Sequence, residues 1–263
     1  MSGRWIAGTT LMLSCALTAG AQEKKDSTVT PSPLEAVVVS ATRSDQRVES
    51  LPSPVKVIGA PEIRASTASS AQDLLRSIPD FTQRDYQSGL ISAPSQSITT
   101  FRGLGGSSAN RALILLDGVP VGDPFSGFLD WGRIPLSMLA SAEVIRGGGS
   151  IIWGSRALAG VVNLRTISPR RDGADFLVER GSFNTSHAAG TATLKTDKLA
   201  AVVAADYLDT DGFTITPARQ AGPVDEPLAS RKAVVAGKLT YDLSPALQAS
   251  ISGSEFKGGD PQW

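Results

Sequence analysis

In the last third of the chain, apolar and polar residues alternate. Across 232–243, Ala233, Val235, Gly237, Leu239, Tyr241 and Leu243 fall on one face, while Lys232, Lys238, Thr240 and Asp242 fall on the other. Successive side chains of a strand point to opposite sides, so this period predicts a strand with one apolar wall and one wet wall. The same reading places five strands at about 174–182, 186–196, 199–208, 231–243 and 246–256. Thr196-Asp197-Lys198 and Ser244-Pro245 are tight connections, whereas 209–230 is long and carries three prolines. A soluble sandwich would alternate in the same way. Tyr207 and Tyr241, near strand ends, sit where a membrane wall keeps its interfacial aromatics.

Upstream, between Ser44 and Ile167, short strands, turns and two brief helices are mixed. Val55–Ile58 reads as a strand, and Pro61 and Ser70 are positions where helices open. Ser70 has an acid, Asp73, at the capping-box spacing before Leu74-Leu75, and Pro79 is expected to end that helix. The run 111–116 is apolar enough for a strand buried on both faces. Asp117-Gly118 then predicts a tight turn into 119–121, and 142–146 with 160–164 complete a small mixed sheet.

The beginning of the chain follows other patterns. Arg4, an apolar run over 6–17 and Ala19-Gly20-Ala21 read as a secretory signal over 1–21. Residues 22–33 are polar, with charges that cancel, and read as a flexible tether. Val37-Val38-Val39 interrupts that tether. Three β-branched residues favour an extended backbone, whose unpaired groups suit either a first strand or the edge of another sheet.

Composition narrows the function. With 25 Lys+Arg against 25 Asp+Glu, the chain lacks the basic excess of a nucleic-acid binder. The single Cys15 falls in the leader, so disulfides and a thiol active site are excluded from the mature chain. His187 is the only histidine, which excludes a site with several imidazoles. Arg146-Gly147-Gly148-Gly149-Ser150 lacks the Lys-Ser/Thr of a phosphate loop, and no Gly-x-Ser-x-Gly elbow occurs. Neither an enzyme nor a resident metal or cofactor is expected.

The segment Leu34-Glu35-Ala36-Val37-Val38-Val39-Ser40-Ala41-Thr42-Arg43 resembles the TonB box of TonB-dependent outer-membrane receptors. The next 120 or so residues resemble the plug domain of that family in several motifs taken in order. These are 71–75 up to Pro79, Thr100-Phe101-Arg102-Gly103, 115–120, Arg133-Ile134-Pro135, 142–147, Trp153-Gly154-Ser155 and 159–163. Trp153 stands where the family usually has Tyr, and Gly148 where it often has Pro. Gly181-Ser182-Phe183 is similar to the turn after the family's first barrel strand.

The resemblance implies an α+β plug, a small mixed sheet with short helices, followed by the start of an antiparallel transmembrane β-barrel. The expected division is leader 1–21, periplasmic tether with TonB box 22–43, plug 44–167 and barrel strands 168–263. Such a barrel has roughly 22 strands, so about five make it incomplete here. The implied protein sits in the outer membrane among its lipid, with plug and box toward the periplasm. It takes up a ferric siderophore, a cobalamin or a similar large solute. Glu35, Ala36, Val37, Val38, Val39, Ser40 and Ala41 would pair with TonB and its inner-membrane energising complex. Of twelve basic residues in 34–167 only Lys56 is lysine, and arginine suits confined, bidentate pairs. Arg102 and Arg146 match the plug arginines that in the family face barrel glutamates and lock the plug. Tyr86, Phe125, Phe128 and Trp131 lie in outer plug loops, where ligand contact and core packing are both open. The rival expectations are a receptor that senses without transporting and a secreted soluble β-protein.

Overall fold

The computed structural model describes residues 54–84, 98–101, 111–123, 129–147 and 149–259, apart from 215, 218, 221, 223, 224 and 246. It also describes the backbone of 10–14, 37–38 and 46–47. In chain order the first strands are β1 (Thr10–Ser14), β2 (Val37–Val38), β3 (Gln46–Arg47) and β4 (Val55–Gly59), followed by helices α1 (Ala60–Ala65) and α2 (Ala71–Leu75). Then come β5 (Phe81–Arg84), β6 (Ile98–Phe101), β7 (Ala112–Leu116), β8 (Val119–Pro120), β9 (Leu139–Arg146), helix α3 (Ser150–Trp153) and β10 (Gly160–Thr166). The last five strands are β11 (Gly173–Arg180), β12 (Ser186–Lys195), β13 (Leu199–Thr210), β14 (Ser230–Ser244) and β15 (Leu247–Gly259).

The plug is built on a five-stranded sheet in the order β4-β9-β10-β7-β8, mixed because β7 and β10 run parallel. Apolar on both faces, β7 occupies an interior position, as its sequence demands. One face carries the larger core, in which Ile63, Leu74, Leu75 and Ile78 from the helical segment meet Ile114, Val144, Val162 and Leu164. Leu113, Leu115, Ile145 and Val161 pack on the other face. The Ser70 hydroxyl accepts the Asp73 N–H at 3.1 Å, and donates to the Asp73 carboxylate at 2.8 Å, which fixes the start of α2. That helix closes at Leu75, ahead of Pro79, and trails into single turns through Ile78.

Asp117 and Gly118 have φ of 50° and 81°, so the turn between β7 and β8 is of the mirror-image type that matches strand twist. The hairpin β5–β6, with Phe81 opposite Phe101, is an addition to the sequence reading, which left 83–97 as an outer loop.

The second sheet is an antiparallel meander, β11 to β15, whose bounds lie within three residues of those expected. On its inner face Val202, Ala204, Leu208, Val234 and Ala236 are buried; on its outer face Phe176, Val178, Val203, Tyr207, Val235, Leu239 and Tyr241 are exposed. So large an uncovered apolar surface calls for a lipid or protein cover. Tyr207 lies opposite Ala233 and Tyr241 opposite Leu199, eight steps apart along β13. Roughly 26 Å of strand separates the two positions, about 20 Å along the membrane normal at the usual barrel tilt, which fits within the height of an outer-membrane apolar band. Among the described residues no helix is long and apolar enough to cross a membrane, which leaves the strands' capacity to do so untouched.

Strand β1, from the segment read as leader, pairs antiparallel with the outer edge of β15 from Thr10–Ser254 to Ser14–Ser250. An open ladder presents unpaired N–H and C=O groups, and an extended apolar segment satisfies them.

Candidate functional site

The site is the seam where the plug meets the inner face of the strands. Two single 3-10 turns, Trp131–Arg133 and Leu136–Met138, supply most of the plug's side. Met138 packs among Val202, Ala204 and Ala236, with Ile167 alongside. The Thr191 hydroxyl of β12 donates to the Ser137 carbonyl at 2.9 Å. At Gly132 an added Cβ would stand 2.5 Å from Cε2 of Phe256, so the missing side chain is what lets the β15 ring approach the turn. Pro135 begins the second turn with its φ already at −64°, and Asp130 caps the first by accepting the Gly132 N–H at 3.0 Å.

A charged contact crosses the seam beside these turns. The Lys238 ammonium, on the inner face of β14, donates to Asp117 Oδ2 at 2.8 Å and to the Thr166 hydroxyl at 3.2 Å. Asp117 also accepts the Thr166 N–H at 2.9 Å and the Thr166 hydroxyl at 2.6 Å. Its carboxylate therefore ties the β7–β8 turn to the end of β10 and to the wall at once. Behind it, Gly118 N–H donates to Asn163 Oδ1 at 3.0 Å, and the Asn163 amide donates to buried Glu143 at 3.4 Å. Arg165 reaches the other oxygen of Glu143 at 3.3 Å. These hydrogen bonds satisfy a carboxylate only 1% exposed in the middle of the sheet.

A few residues along β14, Lys232 faces a cavity of about 60 Å³ at the seam, lined also by Ser69, Gln72, Asp130, Trp131 and Asp206. Burial pushes the Asp130 carboxyl above its ordinary 3.8, against the opposing pull of the Gly132 N–H and of the charges on Arg133 and Lys232. Nearby, His187 is held between Glu179 at 3.1 Å and Asp206 at 3.2 Å. The two carboxylates sit on opposite ring nitrogens, so they hold the ring in place without converging on a point. Among the described residues no His/Cys/Asp/Glu group is arranged to hold a metal ion.

On the far side of the strands, the long connection after β13 is organised by Asp225, which accepts the Thr216 hydroxyl at 2.7 Å and the Gly222 N–H at 2.6 Å. The Gly222 N–H and then the Thr216 hydroxyl hold that carboxyl below its ordinary value. Phe183, in the turn after β11, meets Phe213 of this connection with ring centroids 5.3 Å apart.

The sequence-predicted residues are distributed unevenly. Of the box, Val37 and Val38 are described in backbone only, paired antiparallel with Arg47 and Gln46; Glu35, Ala36, Val39, Ser40 and Ala41 lie outside the described residues. So do Arg102, Tyr86, Phe125 and Phe128. Arg146 extends to Asp80 within the plug, Nη1 to Oδ2 at 3.4 Å, and its Nε is buried without a hydrogen-bond partner. Of the two readings open for Trp131, the structure has it packed: it is 4% exposed and sits in the main core, so its ring supports the turn from within. Sequence reasoning missed Asp117 and Lys238 as a pair. Their signal was present in part, because Lys232 and Lys238 both fall on the wet phase of β14.

Comparison with known proteins agrees with this arrangement. Residues 47–161 match the family model of the TonB-dependent Receptor Plug Domain. The chain is 30% identical over 190 residues to a vitamin B12 transporter, BtuB, of Vibrio vulnificus, an alignment covering 69% of this chain and 29% of that protein. A BtuB of Vibrio cholerae is 30% identical over 136 residues, 51% of this chain and 21% of that one. Among solved structures, the ferripyoverdine receptor of the Pseudomonas aeruginosa outer membrane superposes with a TM-score of 0.65 at 16% identity, covering 85% of this chain and 27% of that one. The siderophore receptor PirA of Acinetobacter baumannii gives 0.60 at 19% identity, covering 78% and 31%. The chain thus spans less than a third of the length of these relatives.

Proposed function

We propose that this chain, which carries the plug domain of a TonB-dependent receptor and the first strands of the wall around it, serves energised uptake of a scarce, large solute across the outer membrane. The observation that carries the reading is the seam. The plug docks on the inner face of a sheet whose outer face is exposed and apolar, so the sheet is dressed for lipid outside and for a polar-edged plug inside.

The solute class follows from the relatives, one group named for vitamin B12 and another for siderophores; a cobalamin or a ferric chelate is the candidate cargo. Ligand would bind from outside, on the long connections between strands and on the outer plug loops that hold Tyr86, Phe125 and Phe128. The segment Glu35–Ala41 would then offer its extended backbone to the edge of a periplasmic sheet in TonB, a pairing built from main-chain hydrogen bonds. Pulling on residues 22–43 loads the seam. Among the described residues its polar ties are single hydrogen bonds and a partly exposed ion pair, each worth on the order of 1 kcal/mol, beside a small apolar contact at Met138, whereas the plug's own core buries many more large side chains. The seam is therefore the weaker join and yields first. No bond in the solute is broken. Arg102 and Arg146 are proposed to meet carboxylates of wall strands beyond those in this chain.

The test is accumulation of labelled cobalamin and of labelled ferric chelates by cells producing the full-length receptor. The expected result is accumulation of one of them that a protonophore abolishes while surface binding persists. Accumulation indifferent to the proton gradient would contradict the proposal.

A further inference from the structure

We infer that β14 is an anchor strand of the wall for the plug, and that it grips with lysines against plug carboxylates. Two points on its inner face carry this. Lys238 makes a direct 2.8 Å contact with Asp117, and the two side chains are only 18% and 29% exposed. Six residues earlier, in the same inward phase, Lys232 lines the seam cavity with Asp130. The hydrophobic contacts of the seam lie beside these points: Ala236, between the two lysines, meets Met138. A single strand thus presents a cation, an apolar patch and a second cation to the plug.

The polarity is opposite to that expected for Arg102 and Arg146, where the plug supplies the cation. Asp117 is suited to the role because its position in the turn is already fixed by Thr166, so little further ordering is needed for the lysine to find it. Lys238 in turn lies within a ladder of paired residues on both sides, Val202 on β13 and Ser252 on β15. Both ends of the contact are pre-positioned, which is the condition under which an ion pair holds rather than merely forms. The anchor concerns how the plug is retained and does not depend on which solute, if any, is carried.

The experiment is hydrogen exchange of the plug amides of Asp117, Gly118 and Thr166 in the full-length receptor in detergent, with wall folding checked by its resistance to unheated SDS. Lys238→Gln and Asp117→Asn are each expected to speed that exchange by about tenfold, the scale of a hydrogen bond to a charged group. Lys238→Arg, which keeps the charge, is expected to stay near wild type, and Lys232→Gln added to Lys238→Gln to exceed either alone. Wild-type exchange in both neutral variants with the wall folded would overturn the inference. Should those variants fail to assemble, wild-type receptor taken from low to about 1 M salt gives the same decision: faster exchange at these amides supports the anchor, and a flat response overturns it. Failure of the wild-type receptor to accumulate solute, with the variants' exchange differing as expected, would count against the transport reading and leave the anchor standing.

Discussion

Gly160→Ala is expected to break the plug at its centre. Gly160 has a φ of 153°, a conformation that side-chain-bearing residues rarely adopt. A Cβ there would stand 2.4 Å from the Ile145 carbonyl oxygen and 2.9 Å from Cδ2 of Phe101. The carbonyl cannot retreat, because Gly160 is laddered to Arg146 on β9 and to Ala112 on β7. Backbone strain and overpacking together are expected to cost about 3 kcal/mol or more. Phe101 itself is 1% exposed and meets Phe81 edge-on at 5.5 Å, so Phe101→Ala is expected to cost about 3–5 kcal/mol. Phe101→Ala removes ring atoms that the new Cβ would strike, so the double variant should lose less than the sum of the two. Denaturant-dependent exchange of the plug amides measures all three; a Gly160→Ala plug as protected as wild type would show that the close approach is absent in solution.

The second large effect is expected from Val38→Pro. Proline has no N–H and fixes φ near −65°, so it removes a ladder bond and disfavours the flanking pairing. If the box works by adding a strand to another sheet, energised accumulation should fall by at least about tenfold, while ligand binding at the surface holds. Val38→Thr keeps the branch and the N–H and should pass nearly unnoticed. The same proline also disturbs the pairing of Val38 with Gln46. Were that internal pairing the box's whole purpose, the variant would alter tether exchange and leave accumulation intact.

What could be read from the sequence was local. The period of β14 fixed both its extent and its faces, because each residue's side is decided by its immediate neighbours. Asp117-Gly118 announced its turn for the same reason, since Asp-Gly is among the pairs that most readily take two positive φ values in succession. The motif order from 71 to 163 carried the plug, and the match to residues 47–161 agrees with it. The hairpin β5–β6 left no comparable trace, its strands being four residues each and separated by residues 85–97 in sequence. Nor could the seam be read, because Asp117 and Lys238 are 121 positions apart. In sequence Trp131 is open between ligand contact and core packing because an aromatic in a loop-like stretch has the same signature whether its ring turns inward or outward; the capped turn at Asp130 turns it inward.

Uptake as proposed requires the plug to move against the wall. Residues 22–263 contain no cysteine, so Asp117→Cys with Lys238→Cys places across the seam the two thiols of this stretch. A reductant-cleavable bis-maleimide about as long as the side-chain pair it replaces would then tie plug to wall in the full-length receptor. The predicted result is that tied receptors bind solute and accumulate none, and that cleaving the tie restores accumulation. Undiminished accumulation by fully tied receptors would contradict the account.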